Sequence, residues 1–368
     1  FLASDACPDG THVVAFGSSL KELEPLLIEN KSIRLEFEST DKPLVVQPIV
    51  GRDGVPAGEA LITVRNGTLD LVAAPLKLPA LNRNYPRSII LLENGSVAVR
   101  HCRLEGPRVE SGDVGPLVRL AEPAADAKRN VLLDASFLVS RGPLVAGPAR
   151  WETLIARNCV LVSRGDAIVV HSASDDDQQP VQLVLDHCSI ASGGAAVRAD
   201  FNSSAASATP ALTLHARGCI FAGPPAGSSA ASVVVAHSAG AAQNGSLVWW
   251  GSLNGYSERL AGSVVDESGR PGDFSHDWAS HWGEGHEAQS LTGRTDVLFQ
   301  KPLPDLQLVE PESLQLSDSA TAATWAADRG RLGASVGDIG PQSHRRDAPP
   351  SAKPGGGQKA GSRSDPGF

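Results

Sequence analysis

Along the middle of the chain, apolar residues alternate with others in short runs that all end the same way. Val97-Ala-Val99-Arg-His-Cys102-Arg-Leu104 aligns with Val131-Leu-Leu133-Asp-Ala-Ser136-Phe-Leu138. Leu154-Ile-Ala156-Arg-Asn-Cys159-Val-Leu161, Leu183-Val-Leu185-Asp-His-Cys188-Ser-Ile190 and Leu214-His-Ala216-Arg-Gly-Cys219-Ile-Phe221 fall in the same register. Each run has a period-2 strand, two bend residues, Cys or once Ser, then an apolar residue two further on. The anchor returns after 34, 23, 29 and 31 residues. A strand repeat of this length cannot bury its apolar face alone, so successive units must stack. The pattern predicts an all-β chain, a right-handed parallel β-helix, with Cys102, Ser136, Cys159, Cys188 and Cys219 in one interior column.

The flanks predict different elements. Val13-Val-Ala-Phe16 reads as a strand. Leu20, Leu23, Leu26 and Leu27 make one apolar stripe after a Ser18/Ser19 cap, which predicts a capping helix within residues 1–31. Residues 32–246 are then the β-helix, with Asn66-Gly67 and Asn94-Gly95 as turns where positive φ is cheap. Both also spell glycosylation sequons, but the turn accounts for them without a sugar. Gly142, Gly165 and Gly194 each lie six residues after an anchor and mark a second corner. At about 4.8 Å per coil, seven to nine coils give a rod roughly 35–45 Å long. Residues 247–341 read as an irregular C-terminal cap, and 342–368, rich in Pro, Gly, Ser, Lys and Arg, as a disordered tail.

Composition narrows the function classes. A net charge of −9 offers no basic face for nucleic acid, so no nucleic-acid partner is expected. No apolar run is long enough to span a bilayer. The chain starts at Phe1 and has no Met, which reads as a piece of a longer product. Its address is expected to be extracytoplasmic. The cysteine spacings do not match a zinc pattern, and same-facing side chains on stacked strands rarely reach disulfide torsions. They read as reduced, buried thiols, because Ser136 interrupts any bridge or metal series.

The helix stripe, the Ile33-Arg-Leu-Glu-Phe37 strand and the His/Asn-Cys-x-apolar turns resemble the pectin-lyase-like right-handed β-helix superfamily. Trp250-Gly251, Asn254-Gly-Tyr256, Asp277-Trp278 and Gly333-x6-Gly340-Pro341 resemble β-helix regions C-terminal to bacterial serine/threonine kinase-like proteins. Within these residues no Gly-rich loop with its strand lysine, no His-Arg-Asp loop and no Asp-Phe-Gly appears. The superfamily resemblance implies polysaccharide chemistry by carboxylates on one face of neighbouring coils.

Candidate chemistry is sparse. Asp175-Asp176-Asp177 reads as a solvated loop tip. Arg100, Asp134, Arg157, Asp186 and Arg217 share one outward register, an alternating ladder that neutralises itself rather than gathering acids. His276, His281 and His286 lie five apart, a spacing that matches one face of neither helix nor strand, so they remain metal candidates only if a loop gathers them. Trp249, Trp250, Trp278 and Trp282 are candidates for a ligand surface or for anchors of the cap. No cofactor is expected. The expectation is a non-catalytic domain of a larger bacterial protein that binds a carbohydrate or protein partner, as the sensor or interaction region of a kinase-like protein. The alternatives are a polysaccharide lyase or glycoside hydrolase of the same fold, and a structural spacer or adhesin.

Overall fold

A computed structural model describes residues 7–16, 25–38, 44–45, 58–78, 86–107, 114–122, 129–149, 151–171, 181–201, 210–225, 232–238, 241, 245–257, 260, 262–265, 281–283, 285–291, 297–323 and 332–341. The chain winds as a parallel β-helix. Each full coil gives one strand to each of three sheets, of ten, eight and nine strands. One coil runs Gly95–Arg100, Arg103–Glu105 and Val118–Leu120; the next runs Arg129–Asp134, Phe137–Ser140 and Val145–Pro148. Among the described residues every pairing within the three sheets is to the coil before or after, and parallel, as in Val97↔Val131 and Val131↔Leu154.

The core follows from the alternation. Val97, Val99, Val131, Leu133, Leu154, Leu183, Leu185 and Leu214 point inward and are buried. Because strands stack at about 4.8 Å, side chains of like position lie over one another. Glycine is demanded where coils approach too closely for a Cβ. At Gly95 (φ +108°) an added Cβ would stand 1.9 Å from the Gly67 carbonyl oxygen.

The turn from first to second sheet is the tightest feature. Its first residue ends the strand, and its second adopts the left-handed conformation: His101 (φ 51°), Ala135 (46°), Asn158 (49°), His187 (51°) and Gly218 (61°). Ala73, Leu253 and Gln289 extend this column on both sides. A left-handed L-residue costs about 1–2 kcal/mol. Inter-coil hydrogen bonds through the bend offset that cost: the His101 N–H donates to the Asp134 carbonyl at 2.9 Å and that of His187 to Arg217 at 2.9 Å.

Two expectations at the ends need correction. No capping helix occurs in the described part of residues 11–31. Leu26–Glu29 is instead a strand of the third sheet, paired Leu26↔Ile62 and Ile28↔Val64; Leu20 and Leu23 lie outside the described residues. Thr11–Phe16 pairs in parallel with Ser32–Glu38, so the solenoid begins before residue 32. At the other end Leu247–Ser252 is a further rung, paired with Leu212–Arg217, so the solenoid continues past residue 246. The tail 342–368 and the Asp175–Asp177 triplet lie outside the described residues.

Residues 297–323 and 332–341 do not close the end of the rod; they run along its side. Leu303, Leu306, Val309, Leu314 and Ile339 pack on Phe137, Val139, Val160, Val162 and Ala191, the outward residues of the second sheet. That sheet is apolar on both faces because both are covered. Arg103 pairs with Glu310 (2.7 Å) and stacks on Phe137, while Arg164 pairs with Asp305 (3.2 Å). The last stretch then climbs back along the left-handed corner. Gly333 N–H donates to the Gly218 carbonyl (2.7 Å), Ser335 N–H to Asn158 Oδ1 (2.7 Å) and Gly340 N–H to the Ala135 carbonyl (2.9 Å).

Candidate functional site

Cys102, Ser136, Cys159, Cys188 and Cys219 stand in one fully buried column, with no disulfide among them. They are more than small hydrophobes. Each sits just after the left-handed bend, where its polar atom meets the backbone of the preceding coil. Cys102 N–H donates to Ser136 Oγ (3.0 Å), and Ala74 N–H to Cys102 Sγ (3.4 Å). In return Ser136 Oγ donates to the Val99 carbonyl (3.2 Å), Cys188 Sγ to Ala156 (3.3 Å) and Cys219 Sγ to Leu185 (3.4 Å). The column continues beyond the five. Asn254 takes the next place, accepting from Cys219 N–H (3.0 Å) and donating to the Ala216 carbonyl (3.0 Å), and Ser290 accepts from Asn254 N–H (3.1 Å). Burial pushes the Cys102 thiol up to about 12, and those of Cys159 and Cys219 well above the ordinary range. Such thiols stay protonated and inert, which suits structure rather than nucleophilic chemistry.

A candidate ligand surface is the outer face of the first sheet. Three columns cross it, each built by the register. One is Ser96, Asn130, Thr153, Gln182 and Thr213, with Thr153 Oγ1 donating to Asn130 Oδ1 at 2.7 Å. The central one is Ala98, Leu132, Ile155 and Val184, half-buried, ending in the exposed His215 and Trp250. The third is the alternating Arg100, Asp134, Arg157, Asp186, Arg217, which the register places side by side as the sequence suggests. Near its start the charges are tied together: Arg34–Asp70 at 2.9 Å, Arg100–Asp70 at 3.0 Å and Arg100–Asp134 at 3.4 Å. Asp70 and Asp134 thus share one guanidinium between them.

The tryptophans divide. Trp249 points into the core and is fully buried, and Trp282 is 8% exposed, so neither belongs to a surface platform. Trp250 is 45% exposed, and the His286 ring stacks on it at 4.1 Å. Trp278 and His276 lie outside the described residues. His281 and His286 do not converge on one ion. His281 Nε2 meets His237 Nε2 at 2.8 Å beside Trp282, whereas His286 Nδ1 donates to the Trp249 carbonyl at 2.6 Å. Among the described residues no group of three His, Cys, Asp or Glu side chains is placed to hold a metal.

Glu287 carries a role that sequence reading did not give it. Its carboxylate reaches into the last coil and accepts from Trp249 Nε1 (2.6 Å), Tyr256 OH (2.9 Å), Asn254 Nδ2 (3.1 Å) and Ser290 Oγ. Burial pushes its pKa up against the lowering effect of those donors. A polar cluster thus sits inside the last coils, within the stretch read from the sequence as an irregular C-terminal cap. Glu105 shows the opposite balance under the C-terminal segment. Burial works against its charge, but Arg103 and Lys77 (3.0 Å) overcome it and hold its pKa down.

Comparison with protein-family models, with curated proteins and with solved structures finds no match to this chain. The fold class, a parallel β-helix, therefore stands on the three parallel sheets alone.

Proposed function

We propose that this chain is a non-catalytic member of the pectin-lyase-like superfamily whose first sheet is an interaction face for a carbohydrate or protein partner. In this reading it is the binding region of a larger bacterial protein, in keeping with the kinase-linked resemblance of its closing motifs. The observation that carries the proposal is the asymmetry between the outer faces of the first and second sheets. The second sheet is clothed by residues 297–323 and 332–341, while the first carries an aliphatic stripe between a hydroxyl/amide column and a charged one, ending at Trp250. An exposed indole with Thr213, His215 and Arg217 on the neighbouring strand is the kind of surface that stacks sugar rings or seats a polar peptide.

The test is affinity electrophoresis and calorimetry against a panel of neutral and acidic polysaccharides and extended peptides, with Trp250→Ala and Arg157→Ala beside the parent. Loss of binding in Trp250→Ala supports the face; unchanged binding in both variants moves the site elsewhere. The catalytic alternative has the Asp70–Arg100–Asp134 bridge in its favour, since it brings two carboxylates beside a base-binding cation. Release of unsaturated or reducing sugar ends, abolished by Asp134→Asn, would replace the binding reading with that one.

A further inference from the structure

We infer that the partner of the first sheet is a second copy of this chain, docked face to face with the two rods antiparallel. This rests on the reading of that sheet as an interaction face and names its occupant. The argument is one of self-complementarity. A half-turn about an axis lying along the strands keeps each column opposite itself but reverses the order of rungs. Place that axis between the rung of Arg157 and the rung of Asp186, which are direct neighbours in the sheet. Arg157 then faces the partner's Asp186, and Asp134 faces the partner's Arg217, each contact occurring twice by symmetry.

The neighbouring column fits under the same operation. Ile155 meets the partner's Val184, and Leu132 meets the partner's His215. The bulkiest exposed side chain, Trp250, meets the smallest, the partner's Ala98. In the third column Thr153 meets the partner's Gln182 and Asn130 the partner's Thr213. Other placements fail on the same residues. An axis through the Arg157 rung sets Arg157 against Arg157 and Asp134 against Asp186. A parallel arrangement sets the charged column against hydroxyls and leaves every charge without an opposite.

The two arginines are free for this use, while Asp134 and Asp186, each already beside one partner (Arg100 at 3.4 Å and His187 at 2.9 Å), would take a second. Arg157 and Arg217 are exposed, and neither makes an ion pair among the described residues. Alternation in steps of one rung is what makes the match specific, because a slip of one rung turns every attraction into a repulsion. From Ala98 to Trp250 the face spans about 25 Å along the rod and about 20 Å along the strands, so each copy covers about 500 Å². That lies at the low end for specific pairs, so the association is weak and concentration-dependent.

Sedimentation velocity over a wide concentration range tests it. The parent chain is expected to pass from monomer to dimer. Asp186→Arg, which sets Arg against Arg157 twice, should weaken dimerisation about tenfold or more, and Arg157→Asp should do the same. The exchanged pair Arg157→Asp/Asp186→Arg should restore it, which excludes simple misfolding as the cause. Facing sheets lie about 10 Å apart, beyond the reach of a disulfide, so a short bis-maleimide should link a mixture of Asn130→Cys and Thr213→Cys chains into a heterodimer, while neither variant alone links efficiently. A monomer at every concentration, indifference to the charge reversals, or failure of the exchange to rescue would each overturn the inference. If the parent stays monomeric while Trp250→Ala abolishes polysaccharide or peptide binding, the interaction face stands and only the self-pairing falls. If there is neither dimer nor ligand, both fall.

Discussion

The interior column makes a sharp prediction at Ser136. Its hydroxyl is fully buried, accepts from the Cys102 N–H at 3.0 Å and shares its proton between the carbonyls of Asp134 (2.8 Å) and Val99 (3.2 Å). Ser136→Ala removes only one oxygen, so the cavity left is small and the transfer of a methyl group inward is slightly favourable. What remains is a buried amide without its acceptor, at a cost of about 1–3 kcal/mol. Ser136→Cys keeps an acceptor and donor where sister coils use a thiol, and should cost less than about 1 kcal/mol. Urea titration followed by circular dichroism gives the stabilities, and native-state hydrogen exchange reports the Cys102 amide directly. That amide should exchange faster in the alanine variant than in the cysteine one. Equal stability of Ser136→Ala and the parent, or a cysteine variant worse than the alanine one, would show that the column is a matter of volume and not of hydrogen bonding.

Three further outcomes follow from the same structure. Leu185→Ala, deep in the stack, should cost about 2–5 kcal/mol, whereas Arg157→Ala on the outer face should stay within about 0.5 kcal/mol; equal denaturant midpoints would contradict the assigned faces. Gly95→Ala should lose about 2–5 kcal/mol, from positive φ together with a collision against the Gly67 carbonyl, and a neutral result in thermal unfolding would mean the coils are not stacked so closely. Glu287 binds its proton more tightly folded than unfolded, so its contribution makes stability fall as pH rises from the ordinary glutamate range, about 4.3, through the raised folded value. Urea midpoints measured from pH 4 to pH 7 should therefore slope less steeply downward in Glu287→Gln; parallel profiles would show that Glu287 ionises as readily in the fold as outside it.

The regular coils were legible because their signal is local and repeated. The anchor residues, the bend pairs and the outward charge ladder all follow from period 2 plus a fixed two-residue bend, and the register agrees at every rung from Cys102 to Cys219. Leu26–Glu29 was misread because a short apolar run fits a helical stripe as well as a strand, and only the pairing with residues 62–65 decides it. Asn254 and Ser290 lie outside the Cys/Ser anchor pattern of the sequence, although the position's real requirement is a short side chain that both donates and accepts. The position of Trp249 was available from alternation alone, since it shares the inward register of Leu214. The runs Phe137-Leu-Val139 and Val160-Leu-Val162, apolar at consecutive positions, already signalled a sheet covered on both sides. What covers it comes from 297–323 and 332–341, whose weak periodicity gave no hint of where they dock.

That returning segment changes how the rod should come apart. A stack of coils joined only to neighbours is a one-dimensional chain of units, free to fray from either end in small steps. Glu310 grips Arg103 across 207 residues, and the stretch after Gly333 touches successive coils from Gly218 back to Ala135. These long ties bind distant units into a single melting event, so the middle of the rod should open together or not at all.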